Sequence, residues 1–231
     1  MIHANCRVRL TADDFDFIVR ALSTKSSDAV SLPRLLTDES TRDELLDHEV
    51  LTAAILESPE TLRISPRLLF YVLCRKVLRK TAVRSRESAD YIASLLERFQ
   101  NSARLDSPDG LSERQLRYLS DMLLALSQAG PREAFILRAH IGNYSLFLSG
   151  MFADSLEKCR RKGGPGLSFY EQVGRSSFQA AAGHREAQRF QLDKIYRELA
   201  DGFHEARLAL NDLARRLLHL DTPPAPIIAI G

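Results

Sequence analysis

Apolar residues recur at helical spacing along most of the chain, and the longest apolar segment runs from Pro131 to Phe152. Its apolar side chains would lie on most of the circumference of an α-helix, which leaves no wide face for solvent. A helix that is apolar nearly all round is normally buried in a protein core. The pattern therefore predicts a buried central helix over residues 132–151.

A second long pattern lies near the C-terminus, where apolar residues follow one another at spacings of three and four, as in a heptad repeat. The stripe consists of Leu192, Ile195, Leu199, Phe203, Ala206, Leu210, Leu213, Leu217 and Leu220. This spacing predicts one long helix from His184 to Leu220. Such a helix would either form the spine of a bundle or pair with a second copy of the chain in a homodimer.

Short polar motifs mark where other helices begin. Patterns in which two side chains cap the first helical turn occur at Thr11–Asp14, Thr41–Glu44, Ser112–Gln115 and Ser168–Glu171. Ser65–Pro66 combines a capping serine with a proline suited to the first helical position. We expect a helix to begin at each of these five sites.

The composition contains few turn-forming residues, with 11 glycines and 9 prolines in 231 residues, which argues against an all-β fold. Val8 and Leu10 alternate with arginines, which indicates either a short strand at residues 6–10 or an extended arm. We therefore predict an all-α fold. It should be a single domain of seven to nine helices, a bundle with the buried central helix and the long C-terminal helix.

Charge divides the chain unevenly, although its net charge is only +2. Residues 1–62 contain six Lys/Arg and 12 Asp/Glu, whereas the remainder contains 26 and 18. The domain thus has an acidic N-terminal part (1–62), a basic helical core (63–222) and an apolar tail (223–231). Either the acidic part packs on the basic part, or one of them faces a charged partner. The six cations from Arg75 to Arg86 are expected to face the acidic part, which disfavours a nucleic-acid partner.

A candidate ligand site lies on the central helix, where His140, Asn143 and Tyr144 share one face at i, i+3 and i+4. Tyr170 and Arg175, on the following helix, are the side chains that would complete a pocket there. The alternative is a hydrogen-bonded core network that fixes how the helices pack. A cavity of several hundred Å³ reaching His140 would favour the pocket, and a filled core would favour the network.

A second candidate site is the loop that follows Arg160, Arg161 and Lys162, because cations beside glycine-rich backbone can contact phosphate or another anion. Basic residues also close helices before glycine simply because they stabilise the C-terminal end of the helix. The sequence is compatible with an anion contact and with a helix end alone.

No motif predicts catalysis, a cofactor or a metal ion. The chain lacks a phosphate-binding glycine loop and a nucleophile elbow, and no Glu-x-x-His or Cys-x-x-Cys spacing occurs. Three features predict a cytoplasmic, soluble protein. The three cysteines lie far apart, no apolar run has the length of a signal peptide, and no apolar stretch is long enough to span a membrane.

We therefore expect a non-enzymatic protein that acts through protein–protein interaction or regulation. Its partner would be another protein or a second copy of the chain, held through the C-terminal helix or the tail. The alternative is a small-molecule-binding protein or an enzyme with its pocket beside the helix at 132–151.

Overall fold

The computed structural model of the protein describes residues 1–23, 35–57, 64–100, 108, 116 and 118–217. This part of the chain contains twelve α-helices and no strand, so the predicted all-α fold is confirmed. The helices are α1 (Ala12–Leu22), α2 (Glu39–Leu46), α3 (Glu49–Glu57), α4 (Pro66–Leu78), α5 (Arg86–Phe99), α6 (Leu119–Gln128), α7 (Pro131–Met151), α8 (Ala153–Arg161), α9 (Leu167–Ala182), α10 (Arg185–Arg189), α11 (Asp193–Asp201) and α12 (Phe203–Asp212). Their number exceeds the predicted seven to nine, because segments expected to be continuous are broken.

Helix α7 corresponds to the helix predicted over residues 132–151. Gly130 lies at its N-cap and Pro131 at its first position, where the missing proline N–H costs no hydrogen bond. Every residue from Ala139 to Met151 is buried, because α9 and α12 pack along this helix and α6 contacts it as well. No helix in the described ranges is long and apolar enough to cross a membrane.

Two glycines allow α9 to approach its neighbours closely. A Cβ atom at Gly142 of α7 would lie 2.7 Å from Cδ1 of Phe178, and one at Gly174 of α9 would lie 2.4 Å from Cζ of Phe203. Real Cβ atoms do not approach other heavy atoms so closely. The absence of a side chain at these positions therefore determines how tightly α7, α9 and α12 pack.

The predicted continuous helix from His184 to Leu220 is wrong. The chain forms α10, α11 and α12 instead, followed by a π-helical turn at Leu213–Leu217. Gln191 has a φ of 57°, in the left-handed region that interrupts a right-handed helix. A second break falls at Gly202, where a Cβ atom would lie 2.5 Å from Cγ2 of Val83.

The apolar stripe of this segment is nevertheless buried within a single chain. From Leu192 to Leu213, each of its members is 5% exposed or less. The breaks allow three short helices to wrap around the core and cover the stripe, which a straight helix of that length would have left partly open. The part of the stripe from Leu192 to Leu213 is therefore not open to a second copy of the chain, whereas the side chains of Leu217 and Leu220 lie outside the described residues. The apolar tail at 223–231 lies outside the described residues.

The predicted caps have mixed outcomes. The reciprocal hydrogen bonds of Thr11 and Asp14 open α1 as predicted, and Ser65 caps α4. The predicted cap at Thr41 is wrong, because α2 begins at Glu39 and Asp38 accepts the hydrogen bond from the Thr41 amide. The predicted cap at Ser168 is also wrong, because α9 already begins at Leu167. The motif at Ser112–Gln115 lies outside the described residues.

The N-terminal segment does not form a strand or an extended arm. Arg7–Arg9 is a turn of 3-10 helix, held on α5 by the carboxylate of Asp90. Asp90 accepts hydrogen bonds from the Cys6 amide at 2.6 Å and from Arg7 Nε at 3.0 Å. Arg7 also pairs with Asp43 of α2, so one arginine joins three elements. Alternating arginines gave no indication of this role, because the acceptors lie far away in sequence.

The acidic N-terminal part packs on the basic run, as predicted. Asp47 forms ion pairs with Arg75 and Arg86, and Glu49 forms one with Arg79. Two carboxylates of the acidic part are therefore paired with three arginines of the basic run within the fold.

The three cysteines are buried free thiols. Burial raises the pKa of Cys6 to about 12 and raises that of Cys74 well above its ordinary value. Both groups are therefore protonated at neutral pH, and a protonated buried thiol is a poor nucleophile.

Candidate functional site

A groove of about 530 Å³ lies on the surface between α9 and the junction of α11 with α12. Both signs of charge and two amide side chains contribute to its walls. The residues lining it are Ser168, Glu171, Gln172, Arg175, Ser176, Gln179, Ala200, Asp201, Phe203 and His204. We call it the α9–α12 groove.

One carboxylate organises the side of this groove near α12. Oε1 of Glu171 lies 3.0 Å from Nδ1 of His204 and also accepts a hydrogen bond from Nε of Arg207. Because an ionised carboxylate can only accept, Nδ1 of His204 carries the proton in this contact, and a neutral ring keeps Nε2 as an acceptor. Arg207 is buried, whereas His204 is exposed. Glu171 therefore fixes an imidazole that is accessible to a bound partner.

Helical spacing explains the α9 wall of the groove. Ser168, Gln172, Arg175 and Gln179 follow one another at intervals of four, three and four, so they form one ridge on the exposed side of α9. The opposite side of the helix carries the buried residues that contact α7. The sequence pattern indicated Arg175 as a site residue but Glu171 only as part of a helix cap. The polar ridge was a usable signal, but nothing local indicated that it faces His204.

The structure separates the residues of the predicted ligand site. His140, Asn143 and Tyr144 are buried on α7, as is Tyr170 on α9, but Arg175 is exposed and lines the α9–α12 groove instead. The five side chains therefore do not surround one pocket.

Asn143 belongs to a buried polar network that joins three helices. Its Oδ1 atom accepts a hydrogen bond from the hydroxyl of Tyr91 at 2.9 Å, and this hydroxyl lies 3.4 Å from that of Tyr196. Burial raises the pKa of Tyr91 to about 12, so its hydroxyl keeps its proton and donates. The network connects α5, α7 and α11 and gives a structural role to the polar face of α7.

The cavity beside His140 is small. It measures about 30 Å³ and is lined by Met1, Ile2, Arg98, Ile136, Ala139, His140 and Asn143. Ligand pockets usually measure several hundred Å³, whereas 30 Å³ is close to the share of one water molecule. Within the described ranges this space suits a single water molecule, and the edge-on contact of His140 with Phe99 fills the other side.

The loop after α8 closes the helix with its own backbone. The amides of Lys162 and Gly164 donate to the carbonyl of Cys159, and that of Gly163 donates to the carbonyl of Arg160. Gly163 has a φ of 90°, the left-handed conformation typical of helix C-termini. These three amides are therefore engaged and do not form a cradle for phosphate. An anion contact by Arg160, Arg161 and Lys162 remains a prediction that would rest on their side chains alone.

We predict that His140→Ala lowers the free energy of unfolding by about 1–3 kcal/mol, because it removes a buried ring and leaves polar neighbours unpaired. Chemical denaturation followed by circular dichroism measures this change. His204→Ala is a suitable control, since the contact of its exposed ring with Glu171 contributes less than about 1 kcal/mol. A melting temperature of His140→Ala within about one degree of the wild type would contradict a packed role for His140.

Comparison with known proteins gives no match to a family model, to a curated protein or to a solved structure. The fold and the site define an all-α protein with a charged surface groove. The geometry of that groove is therefore the feature that indicates a function.

Proposed function

We propose that the protein is a non-enzymatic interaction protein that binds an extended segment of a partner protein in the α9–α12 groove. The proposal places this activity in the cytoplasm, where its three buried thiols would stay reduced. The observation that carries it is the lining of the groove, which combines both charge signs with paired amide side chains along a length of helix.

The two glutamines suit an extended peptide backbone. Gln172 and Gln179 are seven residues apart on α9, which corresponds to about 10.5 Å along the helix axis. An extended chain covers that distance in about three residues. A side-chain amide offers one acceptor and two donors, so each glutamine can bond a backbone C=O and N–H of the bound segment.

The charged residues would determine the direction in which the segment binds. Arg175 on α9 and Asp201 at the end of α11 present opposite charges from the two sides of the groove. His204 is oriented by Glu171 and adds a neutral acceptor or a cation, depending on its protonation. Complementary charges of this kind favour one partner and one orientation more than they add affinity.

The alternative, a small-molecule-binding protein or an enzyme with its pocket beside residues 132–151, has less support. The cavity at His140 would have to grow about tenfold to hold a typical ligand. The α9–α12 groove is large enough, but most of the residues lining it have polar or charged side chains, whereas pockets for small molecules are lined mainly by apolar and aromatic ones.

A second copy of the chain is the other protein partner that the sequence suggested. The part of the apolar stripe from Leu192 to Leu213 is covered within one chain, so a dimer would have to use the end of the stripe, the tail or another surface. A homodimer therefore remains a prediction that the mass of the purified protein tests directly.

The test is native mass spectrometry of tagged protein purified from its own host as wild type, Arg175→Glu and Arg185→Glu. We expect a protein partner to co-purify with the wild type and to be lost from Arg175→Glu, because the charge in the groove is reversed. Arg185 is exposed and does not line the groove, so its reversal should leave binding unchanged. A partner retained by Arg175→Glu, or a bound small molecule in place of a protein, would overturn the proposal.

A further inference from the structure

The carboxylate of Asp47 lies between two guanidinium groups, where α2 meets α3. Its Oδ1 atom accepts a hydrogen bond from Nε of Arg75 at 2.8 Å, and Oδ2 accepts one from Nη2 of Arg75 at 3.1 Å. Oδ2 also accepts hydrogen bonds from Nε and Nη2 of Arg86, at 3.1 and 3.0 Å. Four N–H donors therefore converge on one anionic group. Two arginine forks in this arrangement match a phosphate as well as a carboxylate.

These arginines belong to a wider cationic surface. Arg75 comes from α4 and Arg86 from the first turn of α5, and the stretch between them contains no acidic residue. No ion pair joins any residue that the structure describes to the other cations of this stretch, Lys76, Lys80 and Arg84. The surface therefore has more positive charge than the carboxylates of Asp47 and Glu49 neutralise.

Two further carboxylates approach the same turn from α11 and α12. Glu198 accepts hydrogen bonds from the backbone and hydroxyl groups of Ser85, and Glu205 accepts one from the amide of Ala82. Both contact backbone or hydroxyl donors and form no ion pair with the arginines. They hold the turn in place and leave the guanidinium groups facing Asp47.

Asp47 is able to leave these arginines without unfolding its helices. It lies at the C-cap of α2, and its side chain keeps 19% of its exposure. Leu46 and Leu51 are buried and hold α2 and α3 in the core, so rotation of the Asp47 side chain would not require these helices to move. Burial raises the pKa of Asp47, but the hydrogen bonds from Arg75 and Arg86 outweigh it and the pKa is lowered. The group is therefore an anion at neutral pH.

We propose that Arg75 and Arg86 form an anion-binding site that Asp47 occupies as an internal ligand, and that a small polyphosphate binds there when Asp47 turns away. A phosphate group brings more negative charge and more acceptor oxygens than a carboxylate, so it competes for the same four donors. Further phosphate groups of the ligand would be attracted by the exposed cations that follow Arg75 in the chain, among them Lys80 and Arg84. Asp47 thereby sets the affinity of the site.

The test is isothermal titration calorimetry with sodium tripolyphosphate at low salt. We expect Asp47→Asn to bind about tenfold more tightly than the wild type, because the competing charge is lost while the shape is kept. Adding Arg86→Gln to Asp47→Asn should abolish this gain. Asp154→Asn is the matched control. Asp154 of α8 is exposed and pairs with Arg215, so the loss of its charge should leave binding at the wild-type level.

Circular dichroism identifies any variant that fails to fold. If Asp47→Asn does not fold, Glu49→Gln replaces it, because Glu49 is 60% exposed and pairs with Arg79 on the same surface. A gain of about two- to threefold is expected for that variant. The proposal is overturned if the folded variant binds tripolyphosphate no more tightly than Asp154→Asn. It is also overturned if a short single-stranded DNA binds while tripolyphosphate does not, which would assign the surface to nucleic acid.

Discussion

Asp90→Ala is expected to lower the free energy of unfolding by about 3–5 kcal/mol, the cost of removing one partner from a buried ion pair. Asp90 is 1% exposed and binds both the amide of Cys6 and Nε of Arg7. Its removal leaves these donors without an acceptor. Asp43 remains beside Arg7, but it contacts a different nitrogen, Nη1, and so compensates only in part.

Denaturant unfolding of the variant beside Glu87→Ala measures this effect. Glu87 lies 3.7 Å from the same guanidinium, but its side chain is 63% exposed, so its loss should cost less than about 1 kcal/mol. Similar losses for the two variants would show that burial does not strengthen the Asp90 contact. Hydrogen exchange of the Cys6 amide should also become faster in Asp90→Ala alone.

Gly174→Val is expected to destabilise the protein by about 3 kcal/mol or more, at the upper end of what overpacking of a core costs. Its first side-chain atom would already lie 2.4 Å from the ring of Phe203 and 2.8 Å from Cβ of Ser145. The two methyl groups need still more space, so α9 has to move away from α7 and α12. That movement would also change the α9–α12 groove.

Gly183→Ala is the control for this substitution. Its Cβ atom would find only the carbonyl oxygen of Ala180, at 3.8 Å, and the backbone φ of −76° suits any residue. We expect a change within about 0.5 kcal/mol, measured by the same denaturation. Gly174→Val with wild-type stability would mean that α9 does not require its close approach to Phe203.

Local signals in the sequence were enough to identify many of the helices. Gly130–Pro131, Ser65–Pro66 and the Thr11–Asp14 pair each place a polar or conformationally restricted residue where a helix must begin. Capping involves residues within about one turn of each other, so the sequence contains all that is needed. The apolar composition of residues 132–151 likewise predicted burial, because it depends only on the residues of the helix itself.

The same local reasoning failed where a competing residue lay nearby. At Thr41 the capping pattern was correct in form, but Asp38 is the stronger acceptor and begins α2 earlier. The stripe from Leu192 to Leu220 predicted one helix, because its spacing continues unchanged through the break at Gly202. Apolar periodicity indicates which residues are buried. It does not change at a turn that keeps these residues facing the core.

The sequence by itself determined the all-α class, the buried helix and the contact between acidic and basic parts, since these follow from local periodicity and opposite charge. The tertiary structure alone decided which distant side chains meet. Glu171 orients His204 and Arg207 from 33 and 36 residues away, and Asp47 reaches Arg75 and Arg86 from 28 and 39. Such pairings depend on the angles and distances at which the helices pack against one another. Close contacts in the core, at residues such as Gly142 and Gly174, determine this packing. Helical periodicity does not predict it.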